Sequence, residues 1–298
     1  MRSTDYREAL TRRQELTAFL RRTLTDRGIL EIDASCLDDD CVIDPYIDPI
    51  AVGDRFLQTS PEAVMKRMLA AGSGSIFSLG PVFRDGEHGR QHRTEFTMLE
   101  WYEVDATDED IWRTVDAMTT RFGQRTCERI SYRDLFRRTV DVDPIDGSIR
   151  QLRRAVPDAD LADRLKDDRD GLCDAVMSLS IQPTLIGPTI VHDYPLSQAA
   201  LARPSTRDPQ CAARFEWFVG GVELGNGYDE LTDADELVRR GEAANRRRVE
   251  SGRFPLPPPE RLIDAMRRGL PPCAGMAVGV ERMMIAAGDG PVWPGSPE

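Results

Sequence analysis

The chain has 298 residues, 51 acidic against 39 basic, for a formal charge of −12. At 40% apolar and 30% charged it can bury a sizeable core, as one large domain or two small ones, while its acidity disfavours nucleic acid as the main partner, because phosphate backbones are met by broad basic surfaces. No run approaches the roughly 18 consecutive apolar residues of a membrane helix, and the opening MRSTDYREAL has no apolar h-region, so a cytoplasmic protein without a membrane partner is expected. Six cysteines are scattered with no C-x-x-C pair and are read as buried thiols, giving neither a zinc site nor a disulfide framework. Lysine occurs only at 66 and 166, which is read as compositional bias and carries no function.

In chain order, residues 5–27 place Leu16, Phe19, Leu20 and Leu24 at helical spacing and end at Gly28. A short strand follows at 29–32, then an acidic connection through Asp38, Asp39 and Asp40 to about Phe56. Pro61 opens a second helix that runs to Ala71. Residues 75–83 and 95–104 are rich in strand formers, and the polar RDGEHGRQHRT between them makes a long-looped antiparallel hairpin. Helices are expected over 108–128 and 169–180, with the charged span between them unassigned. A strand pair is expected at Thr189–His192 and Phe215–Glu223, followed by a helix over 234–251, a proline-rich connection over 254–260, and a helix, strand and helix over 262–287. No internal repeat is visible, so one domain over residues 1–298 is the simpler count.

Three constellations can carry chemistry. The hairpin loop gathers Arg84, Arg90, His92 and Arg93, a set able to close over polyphosphate, with Arg84 at the strand end forking onto an α-phosphate; a solvated hairpin tip is the alternative. The stretch RFEWFVGGVELGNGYDEL sets Glu216 and Glu223 seven residues apart, and two carboxylates facing one phosphate chain would hold magnesium; solvent-facing acids are the alternative. GMAVGVERM precedes Glu281 and Arg282 with small residues that would let a flat base approach; tight strand–helix packing is the alternative.

Taken together and in this order, the three stretches resemble a known family. FRDGEHGRQHRTEFTMLEWY resembles motif 2, and GMAVGVERMMI motif 3, of class II aminoacyl-tRNA synthetases of the lysyl type, with GVELGNGYDELTDA like the stretch between them. The likeness runs from about residue 5 to residue 287 and is greatest to the short paralogues that modify elongation factor P. It implies an α+β fold, a six- or seven-stranded antiparallel sheet flanked by helices, dimerised through residues 5–35. It also implies a chain without the anticodon-reading domain, so that the acceptor is a lysine of elongation factor P and not tRNA.

The resemblance implies the site residue by residue. Arg84 would contact the α-phosphate of ATP, with Arg282 and His92 at the γ-phosphate end and Arg93 adding charge beside them. Phe96 would stack on adenine, and Gly279 would give the base room. Glu216 and Glu223 would hold Mg2+, with Leu224 beside them at the nucleotide. Ser60 and Glu62 would meet the amino group, and Glu100, Tyr102 and Glu230 would surround the distal ammonium of a dibasic amino acid. Ala277, where lysyl enzymes have glycine, goes in the family with (R)-β-lysine over lysine. The implied reaction is adenylate formation followed by attack of a lysine amine, with positioning and electrostatics as the catalytic means. The chain departs from the family at Ser35 (usually proline), Gly86 (usually glutamate, here one residue late as Glu87) and Arg93 (usually asparagine). Two other readings stay open: a paralogue that activates another amino acid or loads another carrier, and a non-catalytic nucleotide- or amino-acid-binding regulator.

Overall fold

The computed structural model describes residues 3–89 and 91–295, so Arg90 of the hairpin loop and the last three residues of the tail lie outside the described residues. The chain folds as two compact units, the first from its two ends, Met1–Thr114 and Glu230–Glu298, the second from Val115–Asp229.

The first unit begins with α1 (Ser3–Thr25), β1 (Leu30–Glu31), β2 (Leu37–Asp38), β3 (Ala51–Val52), β4 (Arg55–Leu57), α2 (Glu62–Ala70), β5 (Ile76–Phe83) and β6 (Glu95–Val104), and the chain leaves it within α3 (Asp108–Thr119). The second unit holds β7 (Glu128–Ser131), α4 (Tyr132–Val140), α5 (Ile149–Ala155), α6 (Ala159–Leu165), α7 (Arg169–Val176), β8 (Thr189–Pro195), β9 (Cys211–Val219) and β10 (Val222–Asp229). The chain then returns to the first unit for α8 (Ala234–Glu250), α9 (Glu260–Gly269), β11 (Cys273–Gly279) and α10 (Val280–Ala286).

In the first unit the strands run in the order β1, β5, β6, β11, and β1 is parallel to β5 while the other pairs are antiparallel. Register decides what shares a face, because directly paired residues point the same way and neighbours along a strand point opposite ways. Glu100 is paired with Ser78 and Ala277, and Tyr102 with Ile76 and Gly275, so one face carries two large polar side chains among mostly small ones. The opposite face carries Leu99 and Trp101 with Phe77, Met276 and Val278, all at most 2% exposed. The helix α1 turns Leu16, Leu20 and Leu24 inward, as the spacing predicts, and α2 packs on α9.

In the second unit the order is β7, β8, β9, β10, with β7 parallel to β8. Tyr132, Leu135, Phe136, Leu152, Leu172 and Phe218 form its core under α4, α5 and α7.

Four expectations are corrected. The sheet is not wholly antiparallel, since β1 and β7 pair parallel to their neighbours. The stretch 38–56 is no plain connection: β2, β4 and β3 form a small sheet, and Asp38 and Asp40 are buried because Arg67 pairs with both and Arg261 with Asp38. The helix expected to 128 ends at Thr119, and a strand begins at Glu128. Phe215–Glu223 is not one strand but two: Gly220 and Gly221, at φ +60° and +74°, make the tight turn of a two-residue hairpin between β9 and β10. The cysteines are as expected, all six free and all but Cys36 buried. Among the described residues no helix is long and apolar enough to cross a membrane.

Candidate active site

The first unit holds a buried acid cluster. Ser60 and Pro61 open α2; the Ser60 hydroxyl accepts from Glu62 N at 3.2 Å and donates to Glu100 Oε2 at 2.6 Å. From β6, Tyr102 donates its hydroxyl to Glu100 Oε1 at 2.6 Å. Glu230 enters ahead of α8, anchored by its amide, which donates to Cys273 O at 3.0 Å. The side chains of Glu62 and Glu230 meet at Lys66, whose Nζ lies 2.5 Å from Glu62 Oε1 and 2.5 Å from Glu230 Oε2. Ser60, Glu62, Glu100, Tyr102 and Glu230 thus come together, with Ala277 paired beside Glu100. Gly275 is required here: a Cβ at this position would fall 2.4 Å from Tyr102 Cδ1 and 2.7 Å from Trp101 O, so only glycine lets the tyrosine ring lie over the strand.

The electrostatics of this cluster are unbalanced. Burial raises Glu100 to about 7, with the Glu62 charge adding to the rise and Ser60, Tyr102 and Lys66 opposing it. Glu230 is raised to about 8 by burial, against the pull of Lys66. For Lys66 burial works against the ammonium, but Glu230 and Glu62 outweigh it and hold its value above the ordinary lysine range. Three carboxylates therefore share one cation, with Glu62 and Glu230 drawn onto it and Glu100 left to Ser60 and Tyr102. The sequence reading missed Lys66. Its signal was the four-residue spacing from Glu62, which puts both on one helix face.

A second group of the same unit is basic. Arg84, just past β5, donates from Nε to Thr59 O at 3.1 Å, and its guanidinium lies 5.1 Å from the Phe96 ring centre. Its amide closes the loop on Thr94 O at 2.8 Å. Arg282, in the first turn of α10, brings Nη2 to 2.7 Å from His92 Nε2, so the ends of the two motifs meet. Gly279 caps that helix, and a Cβ there would find the Arg282 stem at 3.5 Å, an ordinary contact. Arg93 lies toward Trp293, 5.9 Å from the ring centre. Gly86 has a reason of its own: φ of +74° favours glycine over the glutamate of the family pattern, and Glu87 instead stands 3.6 Å from Arg84 Nη1. Asp85 N donates to Asp48 O at 2.8 Å, while Arg248 and Arg253 grip the Asp48 carboxylate at 2.6 and 2.7 Å, which braces the start of the loop. Glu281 is structural: its Oε2 accepts from Thr97 N at 3.0 Å and its Oε1 faces Arg13 at 3.4 Å.

In the second unit Glu216 is on β9 and Glu223 on β10, where a bulge at Leu224 shifts the register. Glu216 is buried, not solvent-facing; it accepts from Arg214 Nη2 at 2.6 Å and from Tyr194 OH at 2.5 Å. Burial first, and then the charge of Glu223, raise it to about 7 despite those partners, so a cation between the two acids would be stabilised. Among the described residues no group of three or more His, Cys, Asp or Glu side chains is arranged to hold a metal ion. A divalent ion here would take two carboxylates and fill its remaining positions from phosphate oxygens and water, the habit of magnesium. Leu224 is wholly buried, so only its main chain is left to meet a nucleotide.

Comparison with known proteins accords with this arrangement. The family described as tRNA synthetases class II (D, K and N) matches residues 1–289. A protein of Yersinia enterocolitica named elongation factor P–(R)-β-lysine ligase is 40% identical over 93% of this chain and 90% of its own length. Proteins of the same name from Salmonella paratyphi B and Salmonella heidelberg are 38% identical over the same shares. The chain belongs to the class II tRNA synthetase family, in its D, K and N branch.

Proposed function

We propose that this protein is an ATP-dependent ligase that activates (R)-β-lysine, or lysine, as the aminoacyl adenylate and transfers it to a lysine side chain of elongation factor P. The observation that carries the reading is the acid cluster: Glu62, Glu100 and Glu230 are buried together with one resident cation, and a buried charge excess is tolerated only where a partner of opposite charge completes it. An amino acid with two ammonium groups is that partner. The name the relatives share, elongation factor P–(R)-β-lysine ligase, supports the acceptor, and the charge of −12 supports a protein acceptor over tRNA.

In this reading Ser60 and Glu62 bind one amino group and Glu100, Tyr102 and Glu230 the other, with Ala277 shaping the floor. Arg84 binds the α-phosphate and stabilises charge gathering there as the carboxylate attacks, while Arg282 and His92 hold the far phosphates and Arg93 adds positive charge. Phe96 and Gly279 receive the adenine, with the main chain of Leu224 also at the nucleotide. Glu216 and Glu223 would hold magnesium, which supplies neutralisation of the polyphosphate. No protein nucleophile is needed, because the acceptor amine attacks the activated carbonyl directly. We further propose that the protein works as a single catalytic domain in the cytoplasm and as a homodimer through α1 and β1; Leu30, 61% exposed on the edge strand, supports such a covering.

ATP–pyrophosphate exchange tests the proposal. Stimulation by (R)-β-lysine above all other amino acids, followed by mass addition to purified elongation factor P, is expected. Exchange driven only by a monoamino acid, or by none, would overturn it.

A further inference from the structure

Lys66 has no part in the chemistry above, yet it is the centre of the acid cluster. Its side chain is 2% exposed. The charged and titratable groups facing it are Glu62 from its own helix, Glu100 and Tyr102 from β6, and Glu230 ahead of α8; its ammonium lies 5.9 Å from the Tyr102 ring centre. Composition is an independent pointer. The chain uses arginine for all but two of its Lys and Arg positions, and Lys66 is one of the two. An ammonium is a compact point charge with three diverging donors, whereas a guanidinium is a wide planar fork, so two carboxylates drawn to 2.5 Å of one nitrogen call for lysine. The pairing also leaves charge unspent: three carboxylates face one ammonium, and Glu100 has no cationic partner within ion-pair distance among the described residues.

We infer that Lys66 is a positioning residue and charge counterweight: it draws Glu62 and Glu230 together and, once the three carboxylates are ionised, leaves the cluster with an excess of two negative charges, the complement of an amino acid carrying two ammonium groups. The inference rests on reading the cluster as the amino-acid site. Without Lys66, three buried carboxylates would share no cation, and the cluster would hold its proton to higher pH, a proton that the incoming diammonium substrate must expel.

The test is the pH profile of kcat/KM for (R)-β-lysine in ATP–pyrophosphate exchange, from about pH 6 to about pH 9, for the wild type, Lys66→Met and Lys66→Arg, each checked for cooperative thermal unfolding. Lys66→Met is expected to raise KM about tenfold or more with kcat changed less than about threefold, and to move the midpoint of the profile upward by about one unit or more. Lys66→Arg, which keeps the charge, is expected to lose affinity but to keep the wild-type midpoint. An unmoved midpoint in Lys66→Met, or equal displacement in both variants, overturns the inference, because a merely structural role lowers activity without moving the titration. Should Lys66→Met not fold, Lys66→Gln, which also removes the charge, is read in its place by the same criterion: a midpoint displaced upward sustains the inference and an unmoved one overturns it. Silence of the wild type with either lysine is a separate outcome, which sinks the proposed function instead.

Discussion

Two acid-rich regions of this molecule are built to different rules. In the second unit, Glu216 has a guanidinium of its own: Arg214 bonds it at 2.6 Å and is itself held by Asn226, Gln198 O and the Tyr194 ring. In the first unit, three carboxylates share one lysine, and two of them are lifted to about 7 and about 8. Both regions keep surplus negative charge, but the first keeps more of it, deeper, and around a compact ammonium. The private arginine offsets part of the burial of Glu216, which is still raised to about 7 with Glu223 nearby, and in the proposed function a metal ion completes that pair. A set with a shared lysine is incomplete until cations arrive. The amount of unspent buried charge, more than the number of acids, is what separates the proposed amino-acid cage from the proposed metal platform.

The largest expected effect is at the cage. Glu230→Gln leaves Lys66 with one carboxylate and removes a proposed substrate contact; kcat/KM in the exchange reaction is expected to fall by about 10²- to 10³-fold, and a fall below about tenfold would place the cage elsewhere. Next is the private pair. Arg214→Met strands Glu216 in the core, at a cost to stability of about 3–5 kcal/mol read from denaturant unfolding, and Arg214→Met with Glu216→Gln should recover most of it. No recovery would mean that Arg214 acts through packing alone.

The two regions also differ in what pH does to the amino-acid step. Glu100 and Glu230 bind protons more tightly folded than unfolded, so their contribution to the stability of the ligand-free protein is complete below about 4.5 and fades as pH rises through about 7 to about 8. Substrate binding needs the ionised forms and has the opposite slope: kcat/KM should rise through the same window, about tenfold per pH unit below the midpoint. A flat profile would show that the carboxylates are already ionised by the resident lysine. The smallest effect belongs to the floor. Ala277→Gly removes one methyl beside Glu100, worth about 1–3 kcal/mol at most, and is expected to shift the ratio of kcat/KM between (R)-β-lysine and lysine toward lysine while leaving ATP affinity unchanged.

Most of the helices were legible because their apolar spacing is local: α1, α2, α8 and α9 fall where the periodicity puts them. The hairpin of β5 and β6 was legible for the same reason. The small sheet of β2, β3 and β4 was not, since its strands are two or three residues long and exist through pairing to one another. The split of 215–223 into two strands turned on a pair of glycines that also fit a bulge. Within the site, motif likeness named the residues proposed to touch ligands, and it missed Lys66, whose importance is a matter of what surrounds it.

The sequence by itself determined the inventory: which side chains carry charge, which helices turn which face inward, and the family whose chemistry those motifs serve. Only the tertiary structure decided the state of those charges. Glu62, Lys66, Glu100 and Glu230 are separated by up to 168 positions, and whether they end up solvated or locked together depends on strand register and on burial. The physical reason is that Coulomb interactions and desolvation act through space, so a local pattern can name an acid without saying whether it is free, paired, or waiting for a cation.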